Sequence, residues 1–69
     1  MTKKIKPDFG CKLRLLRKAQ GWTQQDLADR AGMAEASNIS HFENGNRQPT
    51  MPVLRRLADA LGVSLGEFD

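Results

Sequence analysis

An all-α fold of four to five short helices is what this sequence predicts, and three observations predict it. Glycines at 21, 32, 45 and 62 each follow a run with apolar residues at helical spacing, where a closing residue is wanted. No run of β-branched or aromatic residues alternates as a strand does. Sixty-nine residues hold only one small core, close to the lower limit for folding without covalent or metal staples.

No such staple is expected. Cys11 is the sole cysteine and His41 the sole histidine. One of each on different segments makes neither an internal disulfide nor a zinc site, so no metal or cofactor is expected. Stability then rests on helix packing, with dimerisation as a further source. The chain shows no charge-then-apolar leader and no apolar run near 18 residues, which points to a cytoplasmic protein without a membrane partner. Its net charge of +3 is unevenly spread: residues 1–23 carry seven Lys or Arg against one Asp, and residues 24–69 carry four against seven Asp or Glu. A basic front end fits a polyanionic partner or, equally, a solvated helix face.

Residues 1–7 (MTKKIKP) have three lysines and no apolar period, and Pro7 stops a helix. They are expected to form a flexible basic arm, either reaching toward a phosphate strand through Lys3 and Lys4 or simply disordered. A single domain is expected over 8–69. Its first helix spans roughly Asp8 to Gln20, capped by Asp8, with Phe9, Leu13 and Leu16 on one face and Arg17 and Gln20 at its edge. Cys11 and Leu15 fall on the opposite side, as surface or as cover for the chain end. Trp22 then turns the corner as a core plug.

Thr23-Gln24-Gln25-Asp26 is a capping box opening a second helix, whose Leu27, Ala28 and Ala31 form a buried stripe of small residues. The third helix carries the sequence's most informative feature. With Ile39 as origin and about 100° per residue, Phe42 falls at about 300°, so the inward direction lies between them. Ser40, Asn44, Ser37 and His41 then point outward, Asn38 lies on the flank and Glu43 points sideways toward the first helix. The outward set is short or planar, hydrogen-bonding and free of fixed charge. An ordinary solvated face uses Lys, Glu and Arg, whereas Ser and Asn are poor helix formers. Reading the edges of bases would account for that cost. Beyond Gly45, a loop with Arg47 leads to a fourth helix that starts near its N-cap Thr50, tolerates Pro52, and carries a Val53, Leu54, Leu57, Ala58 and Leu61 stripe. Ser64 is expected to cap a last turn, whose Phe68 closes the core floor.

These residues bring a family into view. The stretches GCKLRLLRKAQGWTQQDLADRAG, ISHFENGNRQPT and LRRLADALGVSLGEF, spanning nearly all of residues 9–68, resemble the XRE-type, lambdoid phage repressor and Cro-like helix-turn-helix family. The resemblance implies a compact lambda-repressor-like DNA-binding domain of bacterial or phage origin. It implies that the third helix enters the major groove while the second crosses the backbone. Residue by residue, Gln24 matches a glutamine that binds phosphate and buttresses the third helix. Ser37, Asn38 and His41 match base-reading positions, with Ser40 beside them. Asn44 and Arg47 match phosphate-contacting positions, and Arg17 with Glu43 matches an orienting ion pair. The chain departs from the pattern between Gly32 and Ile39, where MAEASN supplies six residues against the usual five. Counting back from Ile39 puts the extra residue near Ala34–Glu35 and leaves open whether Glu35 or Ala36 approaches DNA.

The expected function is therefore sequence-specific binding to a double-stranded DNA operator by a homodimer, a transcriptional regulator and more a repressor than an activator. An alternative is an antitoxin-like or accessory module whose main partner is a protein. No acid/base pair or nucleophile constellation supports an enzyme; Ser40 and His41 are adjacent only by chain order.

Overall fold

A computed structural model describes residues 9–68. Within them lie α1 (Phe9–Ala19), α2 (Gln24–Arg30), α3 (Ala36–Asn44) and α4 (Met51–Leu61), followed by a 3₁₀ turn at Leu65–Phe68. Among the described residues there is no strand. The expected arm with Lys3 and Lys4, and the expected cap Asp8, lie outside the described residues.

Local chemistry sets most of the boundaries. At the start of α2 the Thr23 hydroxyl accepts from the Asp26 backbone N–H at 3.1 Å, and the Asp26 carboxylate accepts from the Thr23 N–H at 2.9 Å. The Thr23 backbone N–H, helped by the nearby Thr23 hydroxyl, holds the Asp26 carboxyl below its usual range. At the far end of α3, Gly45 takes the left-handed conformation (φ 80°) that lets its own N–H and that of Asn46 close back on the last turn. Thr50 stands at the N-cap of α4, as expected, but only its backbone serves there. Its backbone is extended as a cap requires, yet its hydroxyl makes no capping bond. Pro52 in the first turn has no N–H, which removes one of the two donors such a hydroxyl seeks.

α3 is the central element, packed against both α1 and α2, while α4 closes on α2 and the 3₁₀ turn touches α1 and α4. Leu13, Leu27, Ile39 and Leu57 are wholly enclosed, one from each helix. Each such side chain contributes about 1.5–3 kcal/mol on leaving water. The floor closes where Phe68 meets Phe9 edge-on, ring centroids 5.1 Å apart. Leu15 and Cys11 are exposed on the outer side of α1. Trp22 is not the full plug expected: it is half-buried against the core, with the Arg30 guanidinium 4.3 Å above its ring.

One contact sets how close α1 comes to α3. Gly10 lies against the last turn of α3, where a Cβ would stand 2.8 Å from the Phe42 carbonyl oxygen and closer still to that of Glu43. Only a residue without a side chain fits there.

Candidate nucleic-acid interface

α3 is held from behind by a polar clamp centred on Glu43, which is 5% exposed. Arg17, itself 8% exposed, donates from Nε to Glu43 Oε2 at 2.6 Å and from Nη2 to Oε1 at 3.1 Å. Its remaining nitrogen, Nη1, donates to the Trp22 carbonyl at 2.7 Å, so one guanidinium ties α1, the corner before α2 and α3 together. The Gln24 amide adds a bond to Glu43 Oε1 at 3.1 Å, and Arg14 stands 3.5 Å from the same oxygen. Burial alone would push the Glu43 carboxyl up. The bonds from Arg17, Gln24 and Arg14 outweigh burial and hold it below the usual glutamate range. Among the described residues no buried side-chain nitrogen or oxygen lacks a partner, so the clamp is fully satisfied.

The outward side of α3 differs in kind. Ser37 and Asn44 are exposed, and Asn38, Ser40 and His41 are half-buried. Asn44 donates from Nδ2 to Ser40 Oγ at 3.3 Å and accepts from Arg14 Nη2 at 3.4 Å. At the opposite end the Ser37 hydroxyl donates to Glu35 Oε1 at 3.2 Å. The structure thus gathers Ser37, Asn38, Ser40, His41 and Asn44 along one rod, with Gln24 joined to it through Glu43. Arg47 lies further out, exposed in the loop after α3, where it shares with Asn38, Met33, Phe42, Pro49 and Val53 the rim of a shallow groove of about 280 Å³.

Two participants escaped the sequence reading. Arg14 bridges the clamp and the outward face, touching both Glu43 and Asn44; its position one turn before Arg17 is a signal that could have found it. Gly10 sets the approach of α1 to α3, and no periodicity marks it. Neither a cluster of His, Cys, Asp and Glu suited to a metal nor a helix long and apolar enough to cross a membrane occurs among the described residues.

A family model described as a helix-turn-helix domain matches residues 8–69. The chain belongs to the XRE-type helix-turn-helix family. It is similar to the competence pilus inhibition repressor of Acinetobacter baylyi, with 47% identity over 88% of this chain, and it spans 54% of that relative's length. It is also similar to the antitoxin HipB of Escherichia coli, 34% identical over 77% of this chain and 59% of HipB. Among solved structures, the restriction-modification controller protein C.AhdI of Aeromonas hydrophila superposes with a TM-score of 0.85 at 33% identity, covering 91% of this chain and 94% of its own. SinR, a master regulator for biofilm formation solved in complex with DNA, superposes with a TM-score of 0.80 at 28% identity, covering 88% and 98%. In this XRE-type domain α2 and α3 form the helix-turn-helix, the DNA-binding unit of transcriptional regulators.

Proposed function

We propose that this domain binds a double-stranded DNA operator sequence-specifically as a homodimer and represses transcription, with α3 laid in the major groove. The observation that carries the reading is the contrast across α3: Ile39, Phe42 and Glu43 fix it from behind, while Ser37, Asn38, Ser40, His41 and Asn44 offer uncharged hydrogen-bonding groups in front. Ser37, Asn38, Ser40 and His41 read base edges, each well-made contact discriminating by about 1–3 kcal/mol. Gln24, Asn44 and Arg47, together with Lys3 and Lys4, meet phosphates and supply most of the affinity and its salt dependence. Two copies address half-sites about 34 Å apart. The likeness to a protein named as a repressor supports repression over activation.

Selection from a random duplex pool over a range of salt concentrations tests the proposal. Enrichment of one palindromic motif that persists as salt rises is the expected result. Weak, sequence-blind binding erased by salt would overturn it. That outcome favours the second reading, an antitoxin-like module with a protein as main partner, which the similarity to HipB supports.

A further inference from the structure

The residue just before α3 does not behave as a cap. Glu35 occupies the N-cap position with an extended backbone (φ −132°, ψ 139°), and its carbonyl accepts from the Asn38 N–H at 3.3 Å. Its side chain makes no capping bond. The position therefore gives up what Ser, Thr, Asp or Asn provides there. The exposed carboxylate instead takes the hydroxyl hydrogen of Ser37, at 3.2 Å. A free serine hydroxyl rotates to donate or accept as its partner demands. With its one hydrogen spent on Glu35, Ser37 keeps only lone pairs to offer, and the ionised carboxylate has nothing else. The leading end of the outward face of α3 is thus a pair of acceptors, while its other end carries the amide of Asn44.

We infer that Glu35, with Ser37 fixed against it, is a specificity-determining residue that selects the exocyclic amino group of a cytosine in the major groove. This rests on the DNA-reading role of α3 proposed above. Guanine presents O6 and N7 there and thymine presents O4, all acceptors that a carboxylate repels. Adenine offers an amino group, but beside the N7 lone pair. Cytosine offers its N4 amino group without that neighbour. The same charge repels phosphate on every sequence, so Glu35 trades general affinity for selectivity. A carboxylate merely solvated near the positive end of a helix would make no such choice of base.

The test is duplex-pool selection with the wild-type domain, Glu35→Gln and Ser37→Ala, each first shown by circular dichroism to keep the wild-type helix content. Wild type is expected to enrich a motif with cytosine at one position of each half-site. Glu35→Gln is expected to lose that preference about tenfold, with adenine rising, while the other positions stay unchanged and binding to random duplex tightens. Ser37→Ala is expected to weaken the preference at the same position. An unchanged motif in Glu35→Gln with uniformly tighter binding overturns the role of Glu35 and leaves DNA reading by α3 standing. Failure of the wild type to enrich any motif overturns both.

Discussion

Behind α3 stand Arg14, Arg17, Gln24 and Glu43, charged or strongly polar, with Arg17 and Glu43 almost wholly out of water and bonded to one another. In front stand Ser37, Asn38, Ser40, His41 and Asn44, exposed or half-buried, uncharged themselves and partnered only at 3.2 Å or beyond, with the Glu35 carboxylate at the leading end. The difference separates two tasks that use the same kind of bond. Charge-assisted bonds in a dry setting are strong and directional and set the angle at which a rod leaves the domain. Neutral groups in contact with water exchange partners at little cost, as discrimination between base edges demands. Placing the buried Arg17–Glu43 pair behind and a mostly neutral face in front lets one nine-residue helix serve as beam and as surface.

Breaking the rear clamp should have the largest effect. Glu43→Ala leaves the Arg17 guanidinium buried with only the Trp22 carbonyl for company, and a loss of about 3–5 kcal/mol in urea unfolding is expected. Replacing both partners, Arg17→Met with Glu43→Leu, should recover most of that loss, because two apolar groups leave no charge stranded. A double variant as unstable as the single would show that orientation, not desolvation, dominates the clamp.

Acid attacks the same place by titration. The Glu43 carboxyl titrates lower in the folded chain than in the unfolded one, so its contribution is complete at neutral pH. The contribution should fall as pH drops below the ordinary glutamate value near 4.5 and vanish below the folded value. Urea midpoints collected from pH 7 to pH 3 should follow that decline, and the decline should flatten in the apolar double variant.

Gly10→Ala tests how tightly α1 must approach α3. The added methyl meets carbonyl oxygens rather than a yielding side chain, so a cost of about 1–3 kcal/mol is expected despite alanine's better helix propensity. A variant as stable as wild type would mean the helices can part without loss.

The front should show the smallest effect on folding. His41→Ala is expected to change stability by less than about 0.5 kcal/mol, as surface substitutions do. Its consequence should appear instead in duplex selection, as lost preference at a position of the motif. Unfolding by this substitution would place His41 behind α3 rather than in front.

How much of this could be read from sequence follows from what each signal records. Helix ends were legible because their causes are local: the Thr23 and Asp26 box and the glycine at 45 act within a few residues of themselves. The facing of Glu43 toward α1 was legible because Ile39 and Phe42 fix the rotation of α3. Gly10 was not legible, since a helical wheel gives the direction of a side chain and says nothing of how near a neighbouring backbone lies. Trp22 was misjudged for a related reason: its ring had Arg30, at the far end of α2, to lie against on one side and so packs against the core only in part. Thr50 stands at the start of α4 as its sequence position indicated, and only the bond from its hydroxyl is missing, since Pro52 removes one of the donors such a cap would meet. Of the expected contact residues, the fold brings the α3 set onto one rod by its own period. The bond from Gln24 to Glu43 depends on tertiary packing and was not foreseen; the family resemblance implied only that Gln24 buttresses the third helix.

The turn that halts α3 at Asn44 has a consequence for information. Nine residues rise only about 13 Å, enough to lie along about four base pairs. A word that short recurs by chance every few hundred base pairs, far too often to name one place in a genome. Gly45 thereby limits how much a lone domain can spell, and uniqueness has to come from joining two such words at a fixed spacing.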